Sequence, residues 1–185
     1  MSDPTMTTPT DPRAPMAAAP LKYLPDGSVD WGNMWDTFCV LAIEGGPPHR
    51  GTLLDTTVDD PHSPEYHAVT AEIVRGIKLV SGLDAAAAEP GWLAVICDTP
   101  GMARWLAEAV LAENVAARAD GVNLLVPVAS YYTLKLEIKN VVTAVAKTTH
   151  YWDEHLANDI KRVLAFEDAA SALRARAARL LRMSR

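Results

Sequence analysis

His49 and Arg50 are the first candidates for chemistry in this chain, because two glycines and two prolines precede them in the segment 44–51 (EGGPPHRG). Glycine permits a sharp turn and proline restricts the backbone, so the loop presents both side chains from a stiff support. A further histidine, His150, lies on a predicted helix. If Glu44, His49 and His150 met in space, they would form a site with two histidines and one carboxylate. Such a site would make the protein a small α/β enzyme.

The same residues also have a purely structural interpretation. A segment such as 44–51 can end a helix, with His49 and Arg50 paired to nearby carboxylates. Lys147, His150 and Glu154 share one face of a predicted helix, as solvent-exposed ion pairs commonly do. His155 follows His150 by five residues, which on an α-helix turns the two side chains about 140° apart. The pattern therefore does not predict a metal-binding helix.

The remaining reactive residues do not form a recognisable motif. Cys97 ends an apolar run, where desolvation raises the pKa of a thiol, and Cys39 lies within a predicted helix, so both are predicted to be structural. Two isolated cysteines do not make a secreted disulfide framework and fit a reducing cytosol. The segment 98–101 joins a strand to a helix and could hold an anion, but its aspartate opposes phosphate and no glycine-rich phosphate loop is present.

Tryptophans more often anchor cores and interfaces than bind cofactors. Trp31, Trp35 and Trp152 lie on amphipathic helical patterns. Together with the charged candidates they form our set of interface or site residues: Trp31, Trp35, His49, Arg50, His150 and Trp152. None of them is predicted to be catalytic or to bind a metal.

Composition excludes some classes of partner. The chain has 185 residues, 49% of them hydrophobic, and a formal net charge of −6, which disfavours nucleic acid as a partner. The N-terminal sequence lacks the basic and apolar regions of a signal peptide, and no stretch is long and apolar enough to span a membrane. We expect a cytoplasmic protein whose membrane contact is peripheral, on the inner face.

The hydrophobic pattern predicts an α+β domain over residues 29–157, after a disordered leader over residues 1–28 that is rich in Pro, Thr and Ala. Helices are predicted over about 30–42, 63–82, 99–114 and 140–156, and strands over 92–97, 115–118, 122–128 and 134–138. Strand 92–97 is predicted to be buried on both faces, and Asp120-Gly121 to form a hairpin turn. The order ααβαβββα corresponds to a small two-layer sandwich with a largely antiparallel sheet.

Residues 158–185 are predicted to form a basic amphipathic helix that mediates oligomerisation. From residue 160 onward, seven basic residues accompany two acidic ones, a formal charge of +5. About three heptads are marginal for an isolated coiled coil, so this helix needs another copy of the chain, its own domain or an anionic lipid surface. We expect a homo-oligomer. The apolar stripe has heptad spacing and comprises Val163, Phe166, Ala170, Leu173, Ala177 and Leu180.

Four segments within residues 30–157 carry a family resemblance: WxxMWxxFC at 31–39, GGPPHRG at 45–51, EIKNVVT at 137–143 and KTTHYW at 147–152. They resemble small bacterial proteins that accompany high-affinity nickel–iron hydrogenases, including the stalk subunit that gathers hydrogenase dimers near the membrane. The resemblance implies a non-catalytic role in oligomeric scaffolding and quinone access. The redox metals would then belong to the partner, and this chain would hold no cofactor beyond a quinone contact.

The residue patterns and the family resemblance both favour a role in assembly over a role in catalysis. We expect a non-catalytic oligomeric scaffold or accessory subunit of a larger, membrane-peripheral redox complex of the hydrogenase type. The alternative is the small α/β enzyme whose His/carboxylate site uses Glu44, His49 and His150. The position of His49 distinguishes them, because the enzyme needs it in a pocket with His150 and the scaffold needs it at a subunit contact.

Overall fold

The computed structural model describes residues 21–33, 53–56 and 60–183, except for the side chains of 177 and 179–183. In this part of the chain, four α-helices and four strands follow one another in the order αββαββαα. The predicted α+β class, with an antiparallel sheet and a C-terminal helix, is confirmed. The order of elements differs from the prediction at two positions. Residues 85–87 form a strand that was not predicted, and the strand predicted over 134–138 is absent.

The chain enters the described structure through a tight turn at residues 21–29, where Tyr23 pairs with Val29. Asp26 accepts hydrogen bonds from both the N–H and the hydroxyl of Ser28 (2.9 and 2.6 Å). Residues 21–28 therefore belong to the fold, and the disordered leader predicted for 1–28 extends too far. Residues 1–20 lie outside the described part. Of the helix predicted over 30–42, only a 3₁₀ turn at Trp31–Asn33 is described.

Helix α1 spans Pro64–Ser81, as its sequence predicts. The hydroxyl of Ser63 accepts a hydrogen bond from the N–H of Tyr66 (3.1 Å), and the helix ends before Gly82. These caps satisfy backbone groups that a helix end leaves open. The buried face carries the predicted stripe of Tyr66, Val69, Ile73, Ile77 and Val80.

The sheet is antiparallel throughout, with the strand order β1-β2-β4-β3. Its strands are β1 (Ala85–Ala87), β2 (Trp92–Ile96), β3 (Arg118–Asp120) and β4 (Asn123–Pro127). The sequence predicts no strand at β1, because three alanines have no strand preference of their own. Pairing with β2, from Ala85 opposite Val95 to Ala87 opposite Leu93, makes it a strand.

One face of the sheet forms the core. Leu93 and Val95 of β2 are fully buried, whereas Trp92 and Ala94 are half-buried and Ile96 is exposed. The prediction that this strand is buried on both faces is therefore wrong. An apolar run of five residues does not reveal which face is covered.

Strands β3 and β4 form the predicted hairpin, but its turn lies one residue further along the chain than predicted. Asp120 pairs with Asn123, so the turn residues are Gly121 and Val122. Gly121 has a φ of +58°, the conformation that the first turn position of a type II′ hairpin requires. The aspartate therefore belongs to the strand and not to the turn.

Helix α2 spans Pro100–Ala112 and begins where the sequence predicts. The hydroxyl of Thr99 accepts a hydrogen bond from the N–H of Met102 (3.0 Å). Met102, Leu106 and Val110 are buried against the rest of the core.

The strand predicted over 134–138 is wrong, because Leu134–Ile138 forms a π-helical turn. Thr133 donates hydrogen bonds from its N–H and its hydroxyl to Glu137 (2.8 and 3.0 Å), which favours a helical start. The alternating apolar pattern fits both structures, since Leu134 and Ile138 are also four residues apart. In a strand, Leu136 and Ile138 would lie on the same face. The helical turn separates them, so that Leu136 is 45% exposed while Ile138 is buried.

This turn continues into helix α3 (Lys139–His150), which ends in a second π-helical turn at Tyr151–His155. Helices α1 and α3 approach closely at Gly76, where an added Cβ would lie 2.7 Å from Val142. After Leu156, which is extended, helix α4 spans Asn158–Met183 and is about 39 Å long.

Candidate functional site

Trp31 belongs to the core and not to an exposed interface. It is fully buried, and its indole N–H donates a hydrogen bond to Glu72 on α1 (2.9 Å). Glu72 also accepts a hydrogen bond from Arg75. Arg75 in turn donates a hydrogen bond to the carbonyl of Val29 (3.0 Å). In the described structure Trp31 is therefore a core residue, and it exposes no surface to an interface. A large aromatic residue at a helix start suits a core and an interface equally, so the sequence does not distinguish them.

Trp35, His49 and Arg50 lie outside the described residues, as do Glu44 and Cys39. The meeting of Glu44 and His49 with His150 therefore stays a prediction. Among the residues that the structure describes, no group of three or more His, Cys, Asp or Glu side chains could hold a metal ion.

Trp152 joins an aromatic cluster, which we define as Trp105, Tyr151 and Trp152. The ring of Trp105, on α2, stacks on Tyr151 with 5.9 Å between centroids and lies 5.6 Å from Trp152. Lys161, on α4, places its ammonium 5.5 Å from the centre of the Trp152 ring. The cluster therefore connects α2, the end of α3 and the start of α4.

His150 and His155 lie next to each other, contrary to the expectation that they point apart. Their ring centroids are 5.3 Å apart and their planes are inclined by 78°. The cause is the π-helical turn, in which the N–H of Leu156 donates to the carbonyl of Tyr151, five residues back (2.9 Å). This geometry places residues five apart on one face, whereas α-helical geometry would separate them.

The basic and thiol groups near these helices have structural roles. Lys147 forms an ion pair with Glu113, which follows α2, and thereby ties α3 to α2. Burial lowers the pKa of Lys139, at the start of α3, to about 8. Cys97 is buried, as predicted, and this burial raises the pKa of its thiol to about 11.

The N-terminus of α2 holds an anion that comes from the chain itself. Asp168 of α4 accepts a hydrogen bond from the N–H of Gly101 (2.7 Å), and its carboxylate lies 2.8 Å from the guanidinium of Arg104. A helix N-terminus attracts negative charge through its free N–H groups and its dipole. The sequence indicated an anion position in segment 98–101 and did not identify Asp168 as its occupant.

Among the described side chains of helix α4, those that contact α2 lie on one side of the helix. Leu164 and Asp168 face Gly101 of α2. The predicted heptad stripe lies on the opposite side, where Val163 is 57%, Phe166 75% and Leu173 68% exposed. The side chains at 177 and 180, which complete the predicted stripe, lie outside the description. The exposed Val163, Phe166 and Leu173, with the half-buried Ala170 between them, form what is called the apolar face below.

No protein-family model and no curated protein sequence matches this chain. A hydrogenase-associated role therefore stays a prediction, drawn from the resemblance of the four segments. Within the described residues, no helix has both the length and the apolar character needed to cross a membrane. The apolar face of α4 is the feature of the described structure that bears most directly on function.

Proposed function

We propose that this protein is a non-catalytic assembly subunit that associates with further copies of itself through the apolar face of α4. One observation supports this above the others: α4 is held to α2 by Leu164 and Asp168, while Phe166 and Leu173 are exposed on its opposite side. Large apolar side chains along one face of a 26-residue helix favour an interface that excludes water.

A second copy is the occupant to which the sequence of α4 is best suited. The heptad positions are nearly symmetric about Ala170, so that in an antiparallel pair centred there Phe166 of one helix comes within one residue of Leu173 of the other. Val163 comes opposite position 177 in the same register. The small side chain of Ala170 then lies at the twofold axis and permits close approach of the two helices.

Charge favours the antiparallel orientation. Residues 158–173 carry three acidic and two basic side chains, whereas residues 174–185 carry five arginines and no acidic residue. A parallel pair would bring ten arginines together. An antiparallel pair places each arginine-rich end beside the weakly acidic start of the other helix, which lowers repulsion.

The burial of a side chain in the interface determines the expected effect of its substitution on dimerisation. Full burial of a side chain such as Phe166 contributes about 1.5–3 kcal/mol, and a symmetric dimer buries it twice. Phe166→Ser should therefore weaken dimerisation by at least about a hundredfold. Leu79→Ser is the matched control, because Leu79 is an exposed leucine on α1, away from α4.

Sedimentation equilibrium of the full chain tests this proposal. The wild-type chain and the Leu79→Ser variant should form the same oligomer, and Phe166→Ser should be monomeric at the same concentration. A wild-type chain that is monomeric at all accessible concentrations would end the proposal. Circular dichroism of each variant verifies that α4 remains helical.

Cross-linking tests the orientation. In an antiparallel pair, Ala170→Cys should form a disulfide-linked dimer, whereas the two copies of Val163→Cys lie about 21 Å apart and should not link. A parallel pair would link both variants. The background is Cys39→Ser, and Cys97 can stay because it is buried with a raised pKa.

We further propose that the assembled copies serve as an accessory subunit of a redox enzyme complex at the inner face of the membrane. The resemblance of segments 31–39, 45–51, 137–143 and 147–152 supports this, together with the basic character of the C-terminal helix. Native mass measurement of the complex isolated from its own cells tests it. A stoichiometric redox enzyme in that complex is expected, and recovery of the homo-oligomer alone would contradict it.

A further inference from the structure

His150 and His155 form a pair of imidazoles that the assembly proposal does not use. Both side chains are exposed, and their ring centroids are 5.3 Å apart. His150 directly precedes the π-helical turn Tyr151–His155 and His155 ends it, so this turn sets the relative position of their backbones. Tyr151 lies between them in sequence, and its ring centroid is 5.6 Å from that of His155.

We propose that His150 and His155 bind a divalent transition-metal ion together. Imidazole nitrogens coordinate such ions at about 2.0–2.1 Å, and two imidazoles on one tetrahedral ion have ring centroids roughly 5 Å apart. The observed separation already meets this requirement. In a regular α-helix the two side chains would diverge, so the site depends on the π-helical turn.

The donors determine which ions bind. Neutral imidazole prefers Ni²⁺, Cu²⁺ and Zn²⁺, whereas Mg²⁺ and Ca²⁺ prefer oxygen ligands. Within the described residues the site has two protein ligands, because that part of the chain contains no group of three or more His, Cys, Asp or Glu placed for an ion. Water or a group from another molecule completes the coordination, so the ion is exchangeable, unlike the ion of a closed structural site.

Binding of the ion also stabilises the turn that creates the site. An ion that binds the π-helical conformation and not the α-helical one shifts the equilibrium towards the former.

Calorimetric titration of the tag-free, full-length protein with Zn²⁺ or Ni²⁺ tests the proposal. One ion per chain is expected, with Mg²⁺ giving no heat of binding. His150→Ala and His155→Ala should each lower the affinity by at least about tenfold, because each removes one of two ligands. His67→Ala is the matched control, since His67 is an exposed histidine on α1, and it should bind as the wild type does.

A second measurement guards against loss of structure in the variants. With Co²⁺ as the probe, the ring protons of both His150 and His155 should show paramagnetic shifts in the wild-type protein. Unchanged affinity in both alanine variants would overturn the proposal, as would an equal loss in His67→Ala. Paramagnetic shifts confined to other histidines would overturn it as well.

Discussion

The carboxylate of Asp168 lies 2.7 Å from the backbone nitrogen of Gly101 and 2.8 Å from the guanidinium of Arg104. The hydrogen bond joins residues 67 positions apart in sequence and fixes α4 at the N-terminus of α2. Leu164 contacts the same point, close to the Cα of Gly101. The direction in which α4 presents its apolar face therefore depends on a small set of contacts around one carboxylate.

Asp168→Ala should loosen α4 without unfolding the domain. The substitution leaves the N–H of Gly101 and the side chain of Arg104 without their carboxylate, which costs about 1–3 kcal/mol where these groups are partly buried. Hydrogen exchange followed by mass spectrometry should show faster exchange at the N-terminus of α2 and over residues 158–170. Exchange in α1 and the sheet should be unchanged.

Glu167→Ala provides the control for this experiment, because it removes the same charge from the neighbouring, exposed position. Equal acceleration in Glu167→Ala and Asp168→Ala would show that helix propensity or net charge is responsible. Gly101→Ala tests the same contact from the other side. Its Cβ would lie 3.0 Å from both Asp168 and Leu164, so it should also loosen α4.

Gly76→Ala should destabilise the whole domain. The added Cβ would lie 2.7 Å from Val142 and 3.2 Å from Trp31, so α1 and α3 would have to separate. Overpacking of this kind costs about 1–3 kcal/mol, whereas alanine gains about 1 kcal/mol in helix propensity. Urea denaturation should show a net loss. In the double variant with Val142→Ala the loss should be smaller than the sum of the single effects, and strict additivity would contradict a direct clash.

Much of the fold is predictable from local sequence. Ser63 and Thr99, each followed by proline, mark the starts of α1 and α2, because capping chemistry is confined to a few neighbouring residues. The hairpin at Gly121 is predictable for the same reason, to within one residue of register. Local rules therefore give element positions and the α+β class.

Two features depend on contacts that a local pattern does not contain. Strand β1 exists because Ala85–Ala87 pairs with β2, and alanine alone does not predict this. The helical state of Leu134–Ile138 depends on the bond between Thr133 and Glu137 and on its continuation into α3. An alternating pattern of five residues favours a strand unless these contacts are known.

The candidate sites show the same division. The heptad stripe of α4 is visible in the sequence. Its orientation away from the domain depends on the hydrogen bond between Asp168 and Gly101, which are 67 residues apart. Regular α-helical spacing does not predict that His150 and His155 lie close together, because their proximity depends on a π-helical turn. Helical periodicity therefore predicts which residues share a face only where the helix is regular.

Lys139→Met should stabilise the protein at neutral pH. Burial lowers the pKa of Lys139 from 10.5 to about 8, which means that the folded state disfavours its charged form. Between pH 8 and 10.5 the unfolded chain holds a proton that the folded chain has lost, so this residue makes stability rise with pH. At pH 7 we expect Lys139→Met to raise the free energy of unfolding by about 1–3 kcal/mol.

Denaturation at several pH values checks this prediction. The advantage of Lys139→Met over the wild type should shrink as the pH rises from 8 towards 10.5. Lys135→Met is the control, because Lys135 is an exposed lysine on the preceding turn and should show a small difference at every pH. An advantage of Lys139→Met that does not change with pH would indicate a packing effect without a role for charge.

The C-terminal arginines should bind anionic lipid at low ionic strength. Arg174 and Arg176 are exposed, and three further arginines follow at positions 179, 182 and 185. Each basic residue near an anionic surface contributes about 1 kcal/mol, and salt screens the attraction. Wild-type protein should cosediment with vesicles containing phosphatidylserine, and release should follow the addition of salt.

Neutral vesicles and a charge variant separate this electrostatic contact from apolar insertion. Changing Arg174, Arg176 and Arg179 together to Gln should weaken binding by about a hundredfold, since roughly 3 kcal/mol of attraction is removed. Lys135→Gln, which removes a charge outside α4, should have little effect. Equal binding to anionic and neutral vesicles would indicate apolar insertion, whereas binding to neither would assign the arginines to protein contacts and leave α4 as an assembly helix alone.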